Sequence, residues 1–367
     1  MAVTVSYDQD CKMIISGVAC SCGCQHHAID KDIYIGKGLL PRIPSYIAKR
    51  GLGTHCVLVA DDNTYRVAGA EVEKALTDAG FSVVACVIHR EHDMLPDDLS
   101  CGEVLLSITR ETEFLIAVGS GTVTDTTRIN AERMGLPFVS VGTAPSMDGY
   151  ASNSSSMEVN NVKSTIYNKA PSVIICDTEI MAKAPMRMLW AGLGDMVAKY
   201  ISVCEWRIAH IVIEEYYCEH VAQLMRNALK RIMAAADHLA ERDPDSVGAV
   251  AEGLVLSGFA MSFAKVSRPA SGLEHYFSHM WEMMALERGH EADLHGIQVG
   301  VGTVLTMNIY EEIKRLKPSR EKAEAAMKAF DPAAWEARVR RVFGKTAPQV
   351  LAIEEKAHKN DPARHAV

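Results

Sequence analysis

Runs of hydrophobic residues alternate with amphipathic stretches over the first half of the chain. Five short apolar runs, bounded by glycine, proline or polar residues, have the composition of buried strands; they cover residues 56–60, 81–89, 114–118, 136–141 and 172–176. Residues 65–79 and 99–109 lie between the first runs and have apolar positions at helical spacing. Strands that alternate with helices predict a Rossmann-like, doubly wound parallel sheet.

Strand-like runs stop after about residue 180. Before that point, the polar residues 152–164 predict a hairpin or loop. Beyond it, long amphipathic segments predict an all-α region; they cover residues 186–209, 216–240, 246–264, 273–287 and 297–316, followed by a charged tail. A chain of 367 residues exceeds the usual size of one hydrophobic core. We therefore expect an α/β domain over 1–180 and a helical domain over 181–367.

The composition narrows the possible partners. The formal charge is -8 and no basic stripe occurs, which argues against nucleic acid or an anionic membrane and favours a small-molecule ligand. The first residues, MAVTVSYDQD, have no apolar core of signal-peptide length, and no later window approaches an uncharged membrane-spanning length. The ten cysteines are scattered, which fits reduced thiols. We therefore expect a cytoplasmic location.

Histidines in the second half of the chain have the spacing of metal ligands. His275 and His279 stand four residues apart and would share one face of a helix, while His295 opens the next apolar segment. Asp195 is the only acid in a long apolar run, where an unpaired charge is costly unless it binds a cation. Two imidazoles and one carboxylate leave coordination positions open, as a catalytic metal requires.

Two of these residues also have an alternative interpretation. Asp195 follows Gly194 and would be a suitable cap for a helix that begins there. His279 would be a hydrogen-bonding neighbour of the ligands if its helix face pointed to the core.

Turns at the ends of predicted strands have the character of a nucleotide site. The strand at 114–118 runs into Gly119-Ser120-Gly121 and then a helix, so backbone N–H groups can approach a pyrophosphate. The strand at 136–141 is followed by small and hydroxyl residues, Thr143 to Ser146, and by Asp148. Asp61, at the end of an earlier strand, is placed to accept hydrogen bonds from a ribose. These strand ends predict one shared nucleotide site.

A dense group of thiols and imidazoles lies near the N-terminus. It comprises Cys20, Cys22, Cys24, His26 and His27. Such a density is sufficient to hold zinc, but structural zinc sites use two separated ligand pairs. We favour the alternative, a thiol-rich hairpin turn at Gly23.

In their order and spacing, these motifs resemble the sn-glycerol-1-phosphate dehydrogenases, metal-dependent polyol dehydrogenases with the dehydroquinate-synthase-like fold. The matching strings are AVGSGTVTDTTR, VGTAPSMDGYAS, APSVIICD, AGLGDMVAKY, SRPASGLEHYFSHMWEM and HGIQVGVG, which together span most of residues 56–305. Gly-Ser-Gly stands where many relatives have three glycines. The resemblance implies a nucleotide-binding N-terminal domain, a helical metal- and substrate-binding C-terminal domain, and a cleft between them for NAD(H) or NADP(H), one divalent metal ion and dihydroxyacetone phosphate.

The resemblance also implies roles for individual positions. Asp195, His275 and His295 match the metal ligands, with zinc or nickel the usual ion, and Asp148, Asp195 and His279 match catalytic or substrate-contacting positions. The positions that match cofactor contacts are Asp61, Gly119, Ser120, Gly121, Thr122, Val123, Thr124, Asp125, Thr143, Ala144, Pro145, Ser146 and Ser152.

The expected mechanism is a metal-assisted hydride transfer. The metal would act as a Lewis acid on the ketone of dihydroxyacetone phosphate, His279 would supply a proton and Asp148 would orient a substrate hydroxyl. Candidate phosphate contacts are the basic residues nearest the motifs, Lys163, Lys199 and Arg268, and the motifs do not choose among them. Asp61 favours NADH, because a carboxylate repels a ribose phosphate.

Three other functions stay open at this point. A glycerol or other polyol dehydrogenase would use the same metal and cofactor on an unphosphorylated substrate. A cyclase of the dehydroquinate synthase kind would use its cofactor only transiently, and a nucleotide-sensing or metal-storage protein would bind without turnover. Family resemblance also suggests a homo-oligomer, with a dimer as the first expectation.

Overall fold

A parallel sheet lies at the centre of the N-terminal half. The computed structural model describes residues 4–16, 20, 22, 31–159 and 162–357. The strands are β1 (Thr4–Tyr7), β2 (Met13–Ser16), β3 (Asp32–Gly36), β4 (His55–Asp61), β5 (Ser82–Ile88), β6 (Phe114–Gly119), β7 (Phe138–Gly142), β8 (Ser154–Val159), β9 (Val162–Tyr167) and β10 (Val173–Asp177). Six of them form one sheet in the order β3-β10-β7-β6-β4-β5, with every neighbouring pair parallel. The predicted doubly wound sheet is confirmed.

The central strands are buried on both faces, which explains their continuous apolar sequences. All residues of β6, β7 and β10 are buried. Helices that cover the two faces include α1 (Ile43–Arg50), α2 (Asp62–Thr64), α3 (Ala70–Asp78), α4 (Asp98–Ser107) and α5 (Gly121–Met134); a π-helical turn joins α2 to α3. Two hairpins, β1–β2 and β8–β9, form separate two-stranded sheets. The second hairpin lies where residues 152–164 predicted a hairpin or loop.

Among the described residues, no strand follows β10. The helices are α6 (Thr178–Met181), α7 (Met186–Val197), α8 (Lys199–Ile213), α9 (Glu219–Leu239), α10 (Pro244–Ala264), α11 (Leu273–Arg288), α12 (His295–Arg315), α13 (Arg320–Lys328), α14 (Pro332–Phe343) and α15 (Ala347–Ala357). A helical C-terminal part is confirmed. We propose the division of the chain near residue 180, because the last strand ends at Asp177.

The single helical segment predicted over 186–209 is wrong, because it is two helices. The break falls at Ala198, which ends α7 and precedes α8. The apolar spacing continues through this residue, so the pattern does not reveal the change of direction. As a result, Asp195 lies in the last turn of α7, and the alternative in which it caps a helix that begins after Gly194 is wrong.

Among the described residues, α10 comes nearest to a membrane-spanning segment, although it carries Asp245 and Glu252 and so does not contradict the expectation that no uncharged window of that length occurs. This helix has 21 residues and is apolar enough, by length and composition, to cross a membrane. Its most apolar window is 78% buried inside the protein, where it packs against α7 and α9. A helix that is hydrophobic on all sides and enclosed by other helices is a core helix.

Glycines bring α7 and α12 into close contact. A Cβ atom on Gly296 would lie 2.0 Å from the backbone oxygen of Ala191, and one on Gly194 would lie 2.4 Å from that of Gly296. Gly192 is pressed in the same way against the backbone of Pro145, in the loop after β7. Only residues without a side chain allow this approach. The close packing places the end of α7, the start of α12 and the loop after β7 side by side.

Candidate active site

Three predicted metal ligands meet where α7, α11 and α12 pack together. Asp195, His275 and His295 each offer a ligand atom, and these atoms all lie within 4.8 Å of one another. His275 Nε2 is 4.0 Å from Asp195 Oδ1, and the rings of His275 and His295 are 5.3 Å apart between centroids. Asp195 thus forms one donor set with histidines 80 and 100 positions later in the sequence. The chemistry of this set fits a divalent transition metal.

Asp195 is the most deeply buried of the predicted site residues on these helices. Its side chain is 0% exposed, whereas that of His295 is 23% exposed and that of His279 is 50% exposed. The exposed fraction therefore rises from the end of α7 towards α11 and α12. A small molecule would reach the donor set from the side on which His279 lies.

A buried lysine joins two carboxylates beside the donor set. Lys199 Nζ lies 2.5 Å from Asp195 Oδ1 and 3.0 Å from Asp148 Oδ2. The backbone N–H of Asp148 donates to Asp195 Oδ2 at 2.9 Å, and the Ser257 hydroxyl donates to Asp148 Oδ2 at 2.8 Å. The structure therefore brings Asp148, Asp195 and Lys199 together.

The charges of this network support one another. Burial disfavours the ammonium of Lys199, but the carboxylates of Asp148 and Asp195 outweigh that effect and raise its pKa. Burial likewise opposes ionisation of Asp148, and Lys199 and Ser257 more than offset it, so the pKa of Asp148 is lowered. Asp148 is thus held as a carboxylate that can accept a hydrogen bond from a hydroxyl group.

Two glutamates that the sequence analysis did not single out hold the histidines. Glu274 Oε1 lies 2.8 Å from His275 Nδ1, which leaves Nε2 directed at Asp195. Glu282 lies between two imidazoles, with 3.2 Å to His279 Nδ1 and 3.5 Å to His295 Nδ1. Carboxylates in such positions fix the ring orientation of metal-binding histidines. The sequence offered one sign for each glutamate: Glu274 directly precedes His275, and Glu282 follows His279 by three residues, which places both on the same side of a helix.

His275 is held in the form that binds a metal. Burial lowers its pKa, and the neighbouring charge of Lys199 acts in the same direction, although the hydrogen bond to Glu274 opposes both. A neutral imidazole has a lone pair available for an ion, whereas an imidazolium does not. His279 lies one turn further along α11, and its ring centroid is 6.0 Å from that of His295.

The predicted cofactor turn lies at the carboxyl edge of the sheet. β4, β6 and β7 are neighbours in the sheet, so their ends, with Asp61, Gly119 and Gly142, lie side by side. The hydroxyl groups of Ser120 and Ser146 are 2.6 Å apart, which joins the turn after β6 to the loop after β7. Ligands of open α/β sheets bind at such an edge.

The N-terminus of α5 has the features of a phosphate site. Ser120 precedes the helix and makes no side-chain capping hydrogen bond among the described residues. A Cβ on Gly119 would lie 2.5 Å from Val123, and one on Gly121 would lie 2.8 Å from Met147 Sδ. The glycines therefore allow the turn to fold tightly onto its helix, and the first N–H groups, up to Val123, remain for an anion.

Other predicted cofactor residues have clear structural partners. Asp61 Oδ1 accepts from the backbone N–H of Thr64 at 2.7 Å and caps α2. Asp125 is buried, pairs with Arg128 at 2.6 Å and accepts from the backbone N–H of Ser156. Asp125 therefore ties α5 to the β8–β9 hairpin, and a direct contact with the cofactor stays a prediction.

The remaining predicted cofactor residues lie on or near the loop after β7. Thr143 donates its backbone N–H to Gly119 at 3.1 Å, and the Ala144 carbonyl accepts from the hydroxyl of Tyr150. Pro145 contacts α7, as described above. The Ser152 hydroxyl accepts from the backbone N–H of Ser154 at 3.0 Å. Thr122 and Thr124 lie in the first turn of α5.

The three candidate phosphate contacts differ in their surroundings. Lys199 is buried between carboxylates. Arg268 makes a two-pronged ion pair with Glu215, at 2.8 Å and 2.7 Å, and its side chain is about one third exposed. Lys163 belongs to β9, and its side chain lies outside the described residues.

Comparisons with known proteins agree with this architecture. Residues 34–185 match a family model described as "Iron-containing alcohol dehydrogenase". The crystal structure of glycerol dehydrogenase from Schizosaccharomyces pombe is similar with a TM-score of 0.60 at 18% identity, covering 76% of this chain and 71% of that chain. That of 2-deoxy-scyllo-inosose synthase has a TM-score of 0.57 at 14% identity, covering 78% and 76%. The fold is that of the iron-type alcohol dehydrogenases and the dehydroquinate-synthase-like enzymes.

Relatives of higher identity define the family within this fold. The chain is 36% identical to glycerol-1-phosphate dehydrogenase (NAD(P)+) of Halalkalibacterium halodurans over 301 residues, which is 81% of this chain and 75% of that protein. It is also 36% identical to the enzyme of that name from Methanosarcina mazei over 286 residues, or 77% of each chain. The chain belongs to the glycerol-1-phosphate dehydrogenase family, and the resemblance seen in its motifs is confirmed.

Proposed function

We propose that this protein catalyses the NAD(P)H-linked interconversion of dihydroxyacetone phosphate and sn-glycerol 1-phosphate. One observation carries the proposal: the ligand atoms of Asp195, His275 and His295 lie within 4.8 Å of one another, and Asp195 bonds to the loop after β7. That loop is joined through Ser146 to the phosphate-type turn at Ser120. A donor set suited to a metal ion and a turn suited to a dinucleotide are therefore joined through the loop after β7.

The donor set fits one divalent ion, held by Asp195, His275 and His295. A bound ion of this kind supplies Lewis acidity, which lowers the energy of negative charge on a substrate oxygen. Two nitrogen donors and one oxygen donor suit zinc and nickel, and we propose one of these two metals. Glu274 and Glu282 would keep the two imidazoles oriented in the absence and presence of the ion.

The chain itself must bind the substrate and supply a proton. Reduction of a ketone adds a hydride, which the dinucleotide provides, to the carbonyl carbon and a proton to its oxygen. We propose that His279 delivers this proton, because it lies one turn from His275 on the exposed side of the site. Its contact with Glu282 holds the ring, and its exposure allows a new proton to arrive from solvent.

Asp148 is proposed to orient a hydroxyl group of the substrate. Its carboxylate is kept ionised by Lys199 and is partly exposed, at 15%. Lys163, Lys199 and Arg268 stay the proposed contacts of the phosphate group. Lys199 already neutralises two carboxylates, so a mainly positioning role for this lysine is the alternative.

The proposed substrate has a direct test. NADH and NADPH oxidation is measured with dihydroxyacetone phosphate and, in parallel, with unphosphorylated dihydroxyacetone. Charge-assisted phosphate contacts should raise kcat/KM for the phosphate ester at least about 100-fold. Equal or higher kcat/KM with dihydroxyacetone would support a polyol dehydrogenase instead. Turnover of a phosphorylated substrate without net change in NADH would support a cyclase, and binding without turnover would support a sensing or storage protein.

Variants identify the phosphate contact in the same assay. For Arg268→Ala and Lys163→Ala, the residue that binds phosphate should raise KM for dihydroxyacetone phosphate and leave KM for dihydroxyacetone unchanged. A variant that raises both equally affects the fold or the shared site. The relatives at 36% identity are named for a phosphorylated substrate, whereas glycerol dehydrogenase and the inosose synthase are similar at 18% and 14% identity. This difference favours the phosphorylated substrate.

Several finer points belong to the proposal. We propose NADH as the preferred cofactor because of Asp61, and a homodimer as the assembly. A cytoplasmic location is proposed because the scattered cysteines fit reduced thiols. A role in phospholipid metabolism is proposed because the proposed product is a glycerol phosphate.

A further inference from the structure

Three cysteines come together in a group that shares no residue with the proposed catalytic donor set. Cys20 and Cys22 belong to the N-terminal segment, and Cys218 lies at the start of α9, almost 200 positions later. Their sulfur atoms all lie within 4.8 Å of one another. Cys20 and Cys22 belong to the group of thiols and imidazoles predicted as a hairpin turn, of which Gly23, Cys24, His26 and His27 lie outside the described residues. Nothing in the local pattern indicates so distant a partner as Cys218.

The distances suit a small thiophilic ion. Cys20 Sγ lies 3.8 Å from Cys218 Sγ, and Zn–S bonds of about 2.3 Å in a tetrahedron separate two sulfur atoms by about 3.8 Å. Cys20 Sγ and Cys22 Sγ are closer, at 2.9 Å, so a rotation of one side chain is needed to admit the ion. This separation is well beyond the bond length of about 2.05 Å in a disulfide.

The surroundings would hold such an ion firmly. Cys218 is fully buried, while Cys20 and Cys22 are half-buried and pack against the core that also contains Trp206. Cys218 precedes the first turn of α9; burial raises the pKa of its thiol, and the backbone N–H groups at the start of the helix act in the opposite direction. The hydroxyl of Tyr216 lies 3.4 Å from Cys22 Sγ. Two half-buried thiols and one buried thiol thus converge at a helix N-terminus.

We propose that Cys20, Cys22 and Cys218 form a second metal site that binds zinc or a similar soft divalent ion. Three thiolates leave the fourth tetrahedral position to water. Binding releases the three thiol protons and forms three metal–sulfur bonds, with no change of oxidation state. The ion would tie the N-terminal segment to the corner between α8 and α9. The role we assign to this site is to join two segments of the chain, and it shares no ligand with the donor set of Asp195, His275 and His295.

Cobalt(II) provides a readout that depends on sulfur ligands alone. The purified, reduced full-length protein is freed of metal with a chelator and titrated with Co(II), and the near-ultraviolet thiolate-to-cobalt absorption is recorded. His275→Ala, whose catalytic donor set is broken, should develop this absorption up to one equivalent of Co(II) per chain, and wild type should reach the same final intensity, because the catalytic donor set has no sulfur. Cys218→Ser and Cys22→Ser should lose this absorption.

Cys204→Ser is the matched control. Cys204 is exposed on α8, close in sequence to Cys218, and takes no part in the proposed site. This variant should give the wild-type absorption. Circular dichroism and elemental analysis accompany each variant, and a folded Cys218→Ser protein should contain one zinc per chain fewer than Cys204→Ser.

Three results would overturn the proposal. One is the absence of thiolate–cobalt absorption from folded, reduced wild type. Another is undiminished absorption in Cys218→Ser. The third is a Cys20–Cys22 disulfide in the protein isolated from cells, seen in an intact mass that rises only on reduction. These results do not depend on substrate turnover, so they leave the proposed dehydrogenase activity untouched.

Discussion

At the scale of single residues, the candidate site depends on how its histidines are held. Glu274 is buried, bonds to His275 Nδ1 at 2.8 Å and also accepts the backbone N–H of Gly272 at 2.8 Å. Its carboxylate therefore connects the start of α11 to the ring that faces Asp195. Such a contact fixes the tautomer of His275 and raises its basicity as a ligand.

We predict that Glu274→Gln weakens metal binding by about 10- to 100-fold. The amide retains the shape of the side chain and loses the charge that supports the imidazole. Metal affinity is measured by competition with a chromophoric chelator, with Glu287→Gln as the control on the same helix. Equal affinities for Glu274→Gln and the control would show that Glu274 does not support the ligand.

A second residue-scale prediction concerns the choice of cofactor. Asp61→Asn removes the negative charge at the end of β4 but keeps a side chain that caps helices well. The ratio of kcat/KM for NADPH to that for NADH should rise by about tenfold, which corresponds to roughly 1.4 kcal/mol. The two coenzymes are compared under the same conditions. An unchanged ratio would show that Asp61 does not contact the ribose of the cofactor.

All three residues of the donor set could be predicted from the sequence, whereas the groups that support them could not. Asp195, His275 and His295 were conspicuous because an acid in an apolar run and histidines at helical spacing are unusual. Glu282 was missed because one of its partners, His295, lies beyond the end of α11. Likewise, the pattern gave no sign that Lys199 would pair with Asp148, because that contact depends on how the start of α8 lies against the loop after β7.

At the scale of elements, the contact between α7 and α12 brings Asp195 and His295 together. We predict that Gly296→Ala destabilises the protein by about 2–3 kcal/mol, because the new methyl group meets the Ala191 carbonyl. Unfolding in urea measures this change. The control is Gly102→Ala in α4, where a Cβ has open space, and it should stabilise by up to about 1 kcal/mol.

Comparing these two variants separates the effect of close helix packing on stability from the effect of alanine's higher helix propensity. If Gly296→Ala also stabilised the protein, the two helices would not be in the close contact described. Metal affinity should fall with Gly296→Ala, since α12 positions His295, and should not change with Gly102→Ala.

A pH-dependent prediction concerns the start of α10. Asp243 accepts from the backbone N–H and the hydroxyl of Ser246, at 2.8 Å and 2.9 Å, and these bonds lower its pKa. Because the folded pKa lies below the unfolded value of about 3.9, the stabilisation is present above about pH 4. It is lost as pH falls through the folded pKa.

Asp243→Asn is the variant that isolates this charge, because asparagine is also a good cap. The difference in Tm between wild type and the variant should be largest near neutral pH and should shrink below about pH 4. A difference that does not vary with pH would mean that the charge of Asp243 has no part in it.

Helices and strands were predicted best where the apolar residues followed a single spacing along the whole segment. The continuous apolar runs of β6 and β10 predicted buried strands, since strands covered on both faces need apolar residues at every position. The segment over 186–209 was predicted as one helix because its apolar spacing does not change at Ala198. Whether a helix continues or turns there depends on the packing of α7 and α8 against other helices, which the local pattern does not contain.

At the scale of the whole molecule, parallel pairing collects the cofactor residues. The sheet order places β4, β6 and β7 next to one another, so turns that are separated in sequence share one edge. The helices then bring the metal-type donors to the loop after β7, through the bond between Asp148 and Asp195. The alternation of strands and helices predicted the sheet, whereas the distant contact of Cys218 with the N-terminal segment required the folded structure.

The central claim is that one ion held by Asp195, His275 and His295 supports the reduction of dihydroxyacetone phosphate. The most direct measurement is the rate of NADH oxidation by metal-depleted Cys218→Ser protein, titrated with zinc or nickel. Activity should be absent without metal and should rise to a plateau at one equivalent per chain, and His295→Ala should give no such rise. Full activity in metal-free protein, or an unchanged titration with His295→Ala, would contradict the account.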